Sequence, residues 1–110
     1  MKQYIVKNTP LLEKKLDRYI GYLFNVKKSA QAARALLIDF ADTRKALETT
    51  AGMLPVPDDK NLRKRNLKRI NLQRHNYFLL FRIQGDPVEI VSMFHGLENY
   101  SEKLEKEDHM

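Results

Sequence analysis

The sequence predicts an α+β fold: an N-terminal strand, then an antiparallel helical hairpin packed on one face of a small antiparallel sheet. Three observations lead there. Apolar residues recur at helical spacing in the first half of the chain, they alternate or run together in strand-length blocks in the second, and a proline-rich break separates the two regimes. The 110 residues are read as one domain spanning 1–110, with no internal repeat and no linker long enough to separate a second.

The elements follow in order. Residues 3–8 read as a short strand. Thr9 before Pro10 is a helix start, with a hydroxyl to cap the first free N–H groups and a proline where no N–H is needed. Leu12, Leu16, Tyr19, Ile20 and Leu23 then mark one face of a helix reaching about Phe24. After a short connection, Ser29 caps a second helix whose face is Ala33, Leu36, Leu37, Phe40 and Leu47, ending near Gly52. The alanines that open it (Ala30, Ala32, Ala33, Ala35) allow close approach to a neighbouring helix. Leu54-Pro55-Val56-Pro57-Asp58-Asp59 reads as a loop. Beyond it, Ile70 and Leu72 alternate with polar residues, and Tyr77–Ile83 and Val88–Phe94 are apolar runs rich in aromatic and β-branched side chains. Arg74-His75-Asn76 and Gln84-Gly85-Asp86 are hairpin-sized breaks, so the three strands should form an antiparallel meander. A polar, mostly acidic segment from Ser101 to Glu107 suits a short helix.

Composition excludes several classes of function. There is no cysteine, which removes disulfides, thiolate metal sites and cysteine nucleophiles. The histidines at 75, 95 and 109 show no metal-binding spacing, so no metal site is expected. The four glycines are isolated, so there is no phosphate-cradling loop, and no cofactor is expected. No apolar run approaches membrane-spanning length and no signal-peptide core is visible, so a cytoplasmic protein without a membrane partner is expected.

The charge distribution is more informative than its sum of +6. Residues 1–59 hold ten basic and seven acidic groups. Residues 60–85 hold Lys60, Arg63, Lys64, Arg65, Lys68, Arg69, Arg74 and Arg82 with no acid, and seven acids crowd into the last 25 residues. A stretch this long without counter-charge projects a positive field unless another segment or a partner neutralises it. Lys60, Arg63, Lys64, Arg65, Lys68 and Arg74 are therefore candidates for contact with nucleic acid or an acidic inhibitor. Arg69, Arg82, His95 and Tyr100 are the candidates for chemistry. Arginine offers a rigid fork for phosphate, histidine exchanges a proton near neutral pH, and tyrosine hydrogen-bonds or stacks. Together they would suit metal-independent RNA cleavage; apart, they would serve structure, with Arg82 paired to Glu89 across a hairpin. A non-catalytic nucleic-acid-binding module is the alternative.

The order strand, helical hairpin, basic strand, two apolar strands and His95-Gly96 resembles the RelE/ParE superfamily of toxins from type II toxin–antitoxin modules. The resemblance is carried by Leu67–Leu72, by Asn76–Ile83, by Val88–Val91 and by Phe94-His95-Gly96-Leu97-Glu98-Asn99-Tyr100. It implies a growth-arresting toxin whose cognate antitoxin wraps it with an acidic segment that folds on binding. It also implies one of two targets: mRNA on the ribosome, cleaved by RelE-like members, or DNA gyrase, poisoned by ParE-like ones. RelE-like nucleases tend to carry a basic residue where Phe78 stands, and a basic cluster where Leu97, Glu98 and Asn99 follow Gly96. The long alanine-rich hairpin and His95-Gly96 look more like the ParE-like branch.

Overall fold

The structure, a computed structural model, describes residues 2–108; His109 of the sequence reading lies outside the described residues. β1 spans Ile5–Asn8, α1 Pro10–Gly21 and α2 Ala30–Thr50, as the periodicity predicts. Thr9 and Ser29 cap the two helices, accepting from the amides of Leu12 and Ala32. Instead of ending near Phe24, α1 runs into a single π-helical turn at Tyr22–Val26, and Lys28 then reverses the chain in the left-handed region (φ 55°). A short helix that the sequence reading missed, α3 at Lys60–Lys64, follows the proline-rich loop. It is capped by Asp59, and Asn66 (φ 56°) turns the chain out of it. β2 (Lys68–Asn71), β3 (Tyr77–Ile83), β4 (Pro87–His95) and α4 (Tyr100–Asp108) complete the chain.

The sheet order is β1-β4-β3-β2. β2, β3 and β4 form the antiparallel meander that was expected. β1 joins the sheet beside β4 in parallel, Ile5 opposite Pro87 through Asn8 opposite Ile90. No turn dictates that pairing: the helical hairpin returns the chain across the sheet, as parallel neighbours require. The β3–β4 register slips between Leu80 and Phe81, leaving Val91 as the extra residue. Thr9 meets that bulge, its amide donating to the Ile90 carbonyl and its hydroxyl lying 3.0 Å from the Ile90 and Val91 carbonyls. One residue thus starts α1 and pins the end of the β1–β4 pairing.

β3 is buried on both faces, so it reads as an apolar run rather than an alternation. Leu79 and Phe81 face α1 and α2, joining Leu12, Leu16, Leu36, Phe40 and Leu47 in the main core. Phe78 and Leu80 face the other way, onto Leu62 of α3, Leu67, Phe94 and Leu104 of α4. Leu37, expected on the buried face of α2, is 48% exposed; that side of the helix instead buries Asp39 and Thr43. Gly96 has a steric cause, since a Cβ there would lie 2.1 Å from Asn76 Oδ1 at the open end of the β3–β4 hairpin, where the Gly96 amide donates to the Asn76 carbonyl.

Candidate functional site

Arg69, Arg82 and His95 fall at different places on the sheet, and Tyr100 opens α4. Tyr77 pairs with His95, and Arg82 with Glu89, so Arg82 and His95 lie five strand positions apart, about 17 Å. Arg82 and Glu89 are cross-strand neighbours, yet no ion pair joins them among the described residues. The Arg82 Nε is buried without a hydrogen-bond partner. Arg69 lies over the Phe78 ring, 3.8 Å from its centroid, and donates to Asn71. Tyr100 is on the same sheet face, but its hydroxyl donates to Asp59, the cap of α3. Burial and that carboxylate raise the Tyr100 pKa, and the same bond holds Asp59 below the ordinary carboxylate range. Where a phosphate would have to sit between these groups, Phe78, Leu80, Phe94 and Leu104 form a packed apolar cluster.

The basic stretch divides. Lys60, Arg63 and Lys64 are exposed on α3, and Arg65, Lys68 and Arg69 continue along the β2 edge of the sheet. Lys68 donates to the Leu54 carbonyl, and Arg65 to that of Asn61. Arg74 is neutralised instead by α2, its guanidinium 2.5 Å from Asp42 and 3.9 Å from Asp39. Asp39 is fully buried and also accepts from the Gln73 and Arg74 amides and from His75 Nδ1 at 2.7 Å. Burial alone would raise its pKa, but those hydrogen bonds and Arg74 outweigh burial and leave it below the ordinary value. This cluster ties the β2–β3 turn to α2, a role the sequence reading did not assign. The available signal was the position of Asp39 between Leu36 and Phe40, on the inward side of the helix.

A different constellation surrounds His95. β1 covers β4 only as far as Ile90; beyond it, Ser92 and Met93 meet Lys15 and Tyr19 of α1, and Ser92 also meets Glu107 of α4. Between α1 and α4 lies an open groove of about 680 Å³. α1 supplies Leu11, Lys14, Lys15, Arg18 and Tyr19, and the π-helical turn after it Tyr22; Tyr77, His95, Leu97, Glu98, Lys103, Lys106 and Glu107 complete the lining. The rings of Tyr19, Tyr77 and His95 meet edge to face, with centroids 5.0 and 4.8 Å apart. The Leu97 amide donates to His95 Nδ1, which leaves Nε2 as the protonated nitrogen of the neutral ring.

Both carboxylates of the groove are consumed internally. Glu98 accepts from the Tyr19 hydroxyl, Lys103 and the His95 amide. Burial would raise its pKa, but these donors prevail and lower it to about 2. Burial and the same carboxylate push the Tyr19 phenol well above its ordinary value. Lys15, only 3% exposed, lies 2.9 Å from Glu107, 3.0 Å from Ser92 Oγ and 3.3 Å from the Phe94 ring centroid. Burial outweighs its partners and lowers its pKa. Lys14 and Arg18 are exposed, and neither has an ion-pair partner among the described residues. The sequence reading selected His95 here but not the lysine. Its signal was helical phase, since Lys15 stands three residues after Leu12 and four before Tyr19. Among the described residues no cluster of three metal-ligating side chains occurs, and no helix is long and apolar enough to cross a membrane.

No protein-family model and no curated protein matches the sequence. Among solved structures, a chain described as the chromosomal ParDE TA system from P. aeruginosa superposes with a TM-score of 0.70. The match is 17% identical and covers 84% of this chain and 96% of that one. The α+β architecture, with its N-terminal strand, helical hairpin and meander, is the fold of that chain.

Proposed function

We propose that this chain is the toxin of a type II toxin–antitoxin pair, and that it arrests growth by binding DNA gyrase rather than by cutting mRNA. The observation that carries the first part is the likeness of fold, over 84% of this chain, to a chain from a ParDE system. The acid-free stretch from Lys60 to Gly85 supports it, because α3 and the β2 edge carry cations that an acidic antitoxin segment would neutralise. The protein would work in the cytoplasm, beside its target.

The second part is supported by the site geometry. Metal-independent RNA cleavage needs a base, an acid and a cation around one phosphate. Arg82 and His95 are too far apart to share one, Arg69 and Tyr100 are engaged elsewhere, and Phe78 and Phe94 fill the intervening surface. Binding makes no such demand. The test is a gyrase supercoiling assay run with the purified chain beside primer extension on ribosome-bound mRNA. Loss of supercoiling with uncut message is expected; cleaved message with unaffected gyrase would overturn the choice of target.

A further inference from the structure

The helical hairpin leaves one face of α2 uncovered, and that face is apolar at its centre. Leu36, Phe40 and Leu47 bury one side of the helix in the main core. Ile38, on the opposite side, is 51% exposed, with the exposed Leu37 beside it. Gln31, Arg34, Ile38, Asp42 and Lys45 form the outward ridge, all exposed, at intervals of three, four, four and three residues. The ridge is symmetric in spacing about Ile38 and opposite in charge to either side of it, with Arg34 one turn before and Asp42 one turn after. Arg34 has no ion-pair partner among the described residues.

We propose that this face docks a second copy of the chain, the two α2 helices lying antiparallel across a two-fold axis at Ile38. A residue a given number of places before Ile38 then meets the residue the same number after it in the other copy. Ile38 packs on Ile38, and the small side chains of Ala35 and Ala41 face each other on both sides of it, letting the helices close up. Arg34 reaches the other copy's Asp42, twice by symmetry. Asp42 already holds Arg74 at 2.5 Å, so each carboxylate then lies between two guanidiniums. Charge fixes the direction, since parallel helices would set Arg34 on Arg34 and Asp42 on Asp42. Charge also fixes the class of occupant. A polyanion would meet Asp42 as well as the cations, whereas a second copy answers both signs and covers the isoleucine. Exposed apolar side chains stand at both ends of the helix too, Val26 before it and Met53 after it, and the two-fold turns each end toward the opposite end of the other copy. From Gln31 to Lys45 the ridge is about 21 Å long. A contact of that size stays below the roughly 1,200 Å² at which durable complexes begin, so the dimer is reversible, with a dissociation constant of about 10–100 μM. None of this rests on the toxin reading.

The test is sedimentation velocity of the full chain across the micromolar range, with circular-dichroism melts to verify that each variant is folded. The dimer fraction should rise with concentration. Ile38→Glu, Arg34→Glu and Asp42→Arg should each weaken association by about tenfold or more. Arg34→Glu combined with Asp42→Arg should bring it back to within about threefold, because the pair is exchanged rather than removed. Arg63→Glu on α3 should change nothing. The chain has no cysteine, so a single introduced thiol reports its own neighbour. Under a mild oxidant Ile38→Cys should give a covalent dimer. Gln31→Cys should not, since its counterpart lies about 21 Å away along the helix axis. A chain monomeric at every concentration, equal cross-linking at the two positions, or a folded charge-exchanged variant that stays monomeric would each overturn the proposal. A monomeric chain whose Ile38→Glu variant no longer arrests growth would overturn it as well and give the face to the target. Dimers without growth arrest would uphold the face and remove the toxin.

Discussion

On one face of the sheet, α1 and α2 cover Leu79, Phe81, Val88, Ile90 and Met93 with a largely apolar layer; on the other, α3 and α4 cover Phe78, Leu80 and Phe94 with Leu62, Leu67, Leu104 and a set of polar ties. Those ties are Tyr100 to Asp59, Lys103 to Glu98, and Lys15 to Glu107 and Ser92. The first face rests mainly on non-directional burial, with Asp39 of α2 as the titrating group at its margin. The second rests on a smaller apolar cluster and on groups that titrate. The difference teaches where the molecule is hard and where it yields: the helical hairpin and sheet are the rigid body, and α4 is its most conditional element.

The largest effect that would break this contrast lies in the first face. Phe81→Ala should cost about 3–5 kcal/mol in urea denaturation followed by circular dichroism, because the ring is fully buried in the main core. A loss no greater than that of Leu104→Ala, expected at about 2 kcal/mol because α4 can settle into the space, would remove the distinction.

The buried ion pair comes next. Glu107→Gln leaves Lys15 without its counter-charge, and about 3 kcal/mol of stability should go with it. Replacing both partners, Lys15→Met with Glu107→Leu, should restore most of that loss, since two apolar side chains leave no charge unpaired. A double variant as unstable as the single one would mean the pair is not what fastens α4.

Acid sharpens the comparison further. Glu98 titrates at about 2 in the folded chain against an ordinary 4.5. Its pKa is depressed by folding, so its contribution is complete above pH 4.5 and is lost as the pH falls toward 2. Asp39 acts in the same direction on the β2–β3 turn. Thermal melts should therefore fall across that window, and Glu98→Gln should flatten the profile; an unchanged profile would remove Glu98 from the account. The smallest expected effect is Asp59→Ala, about 1 kcal/mol from the lost cap of α3 and the released Tyr100 hydroxyl.

What the sequence made legible follows the range of the interactions involved. Helix starts at Thr9 and Ser29 and the meander are written in neighbouring residues. α3 went unread because Lys60-Asn61-Leu62-Arg63-Lys64 is too short to show a period, although Asp59 announces it. The parallel β1–β4 pairing is carried by no turn, so nothing local records it. The candidate site was read least well. An uninterrupted run of cations in sequence need not be a single patch in space, and Arg74 and Arg82 leave it for Asp39 and Asp42 and for the strand opposite Glu89. Lys15, Glu98 and Glu107, which build the groove beside His95, come from the two ends of the chain.

The most direct test is colony counting after the chain is produced from an inducible promoter, alone and together with the product of the adjacent gene. Counts should collapse when it is made alone and recover when the neighbour, expected to be a small DNA-binding protein with an acidic tail, is made with it. Undiminished counts while folded chain accumulates in the cell would contradict the assignment, whatever the likeness of fold.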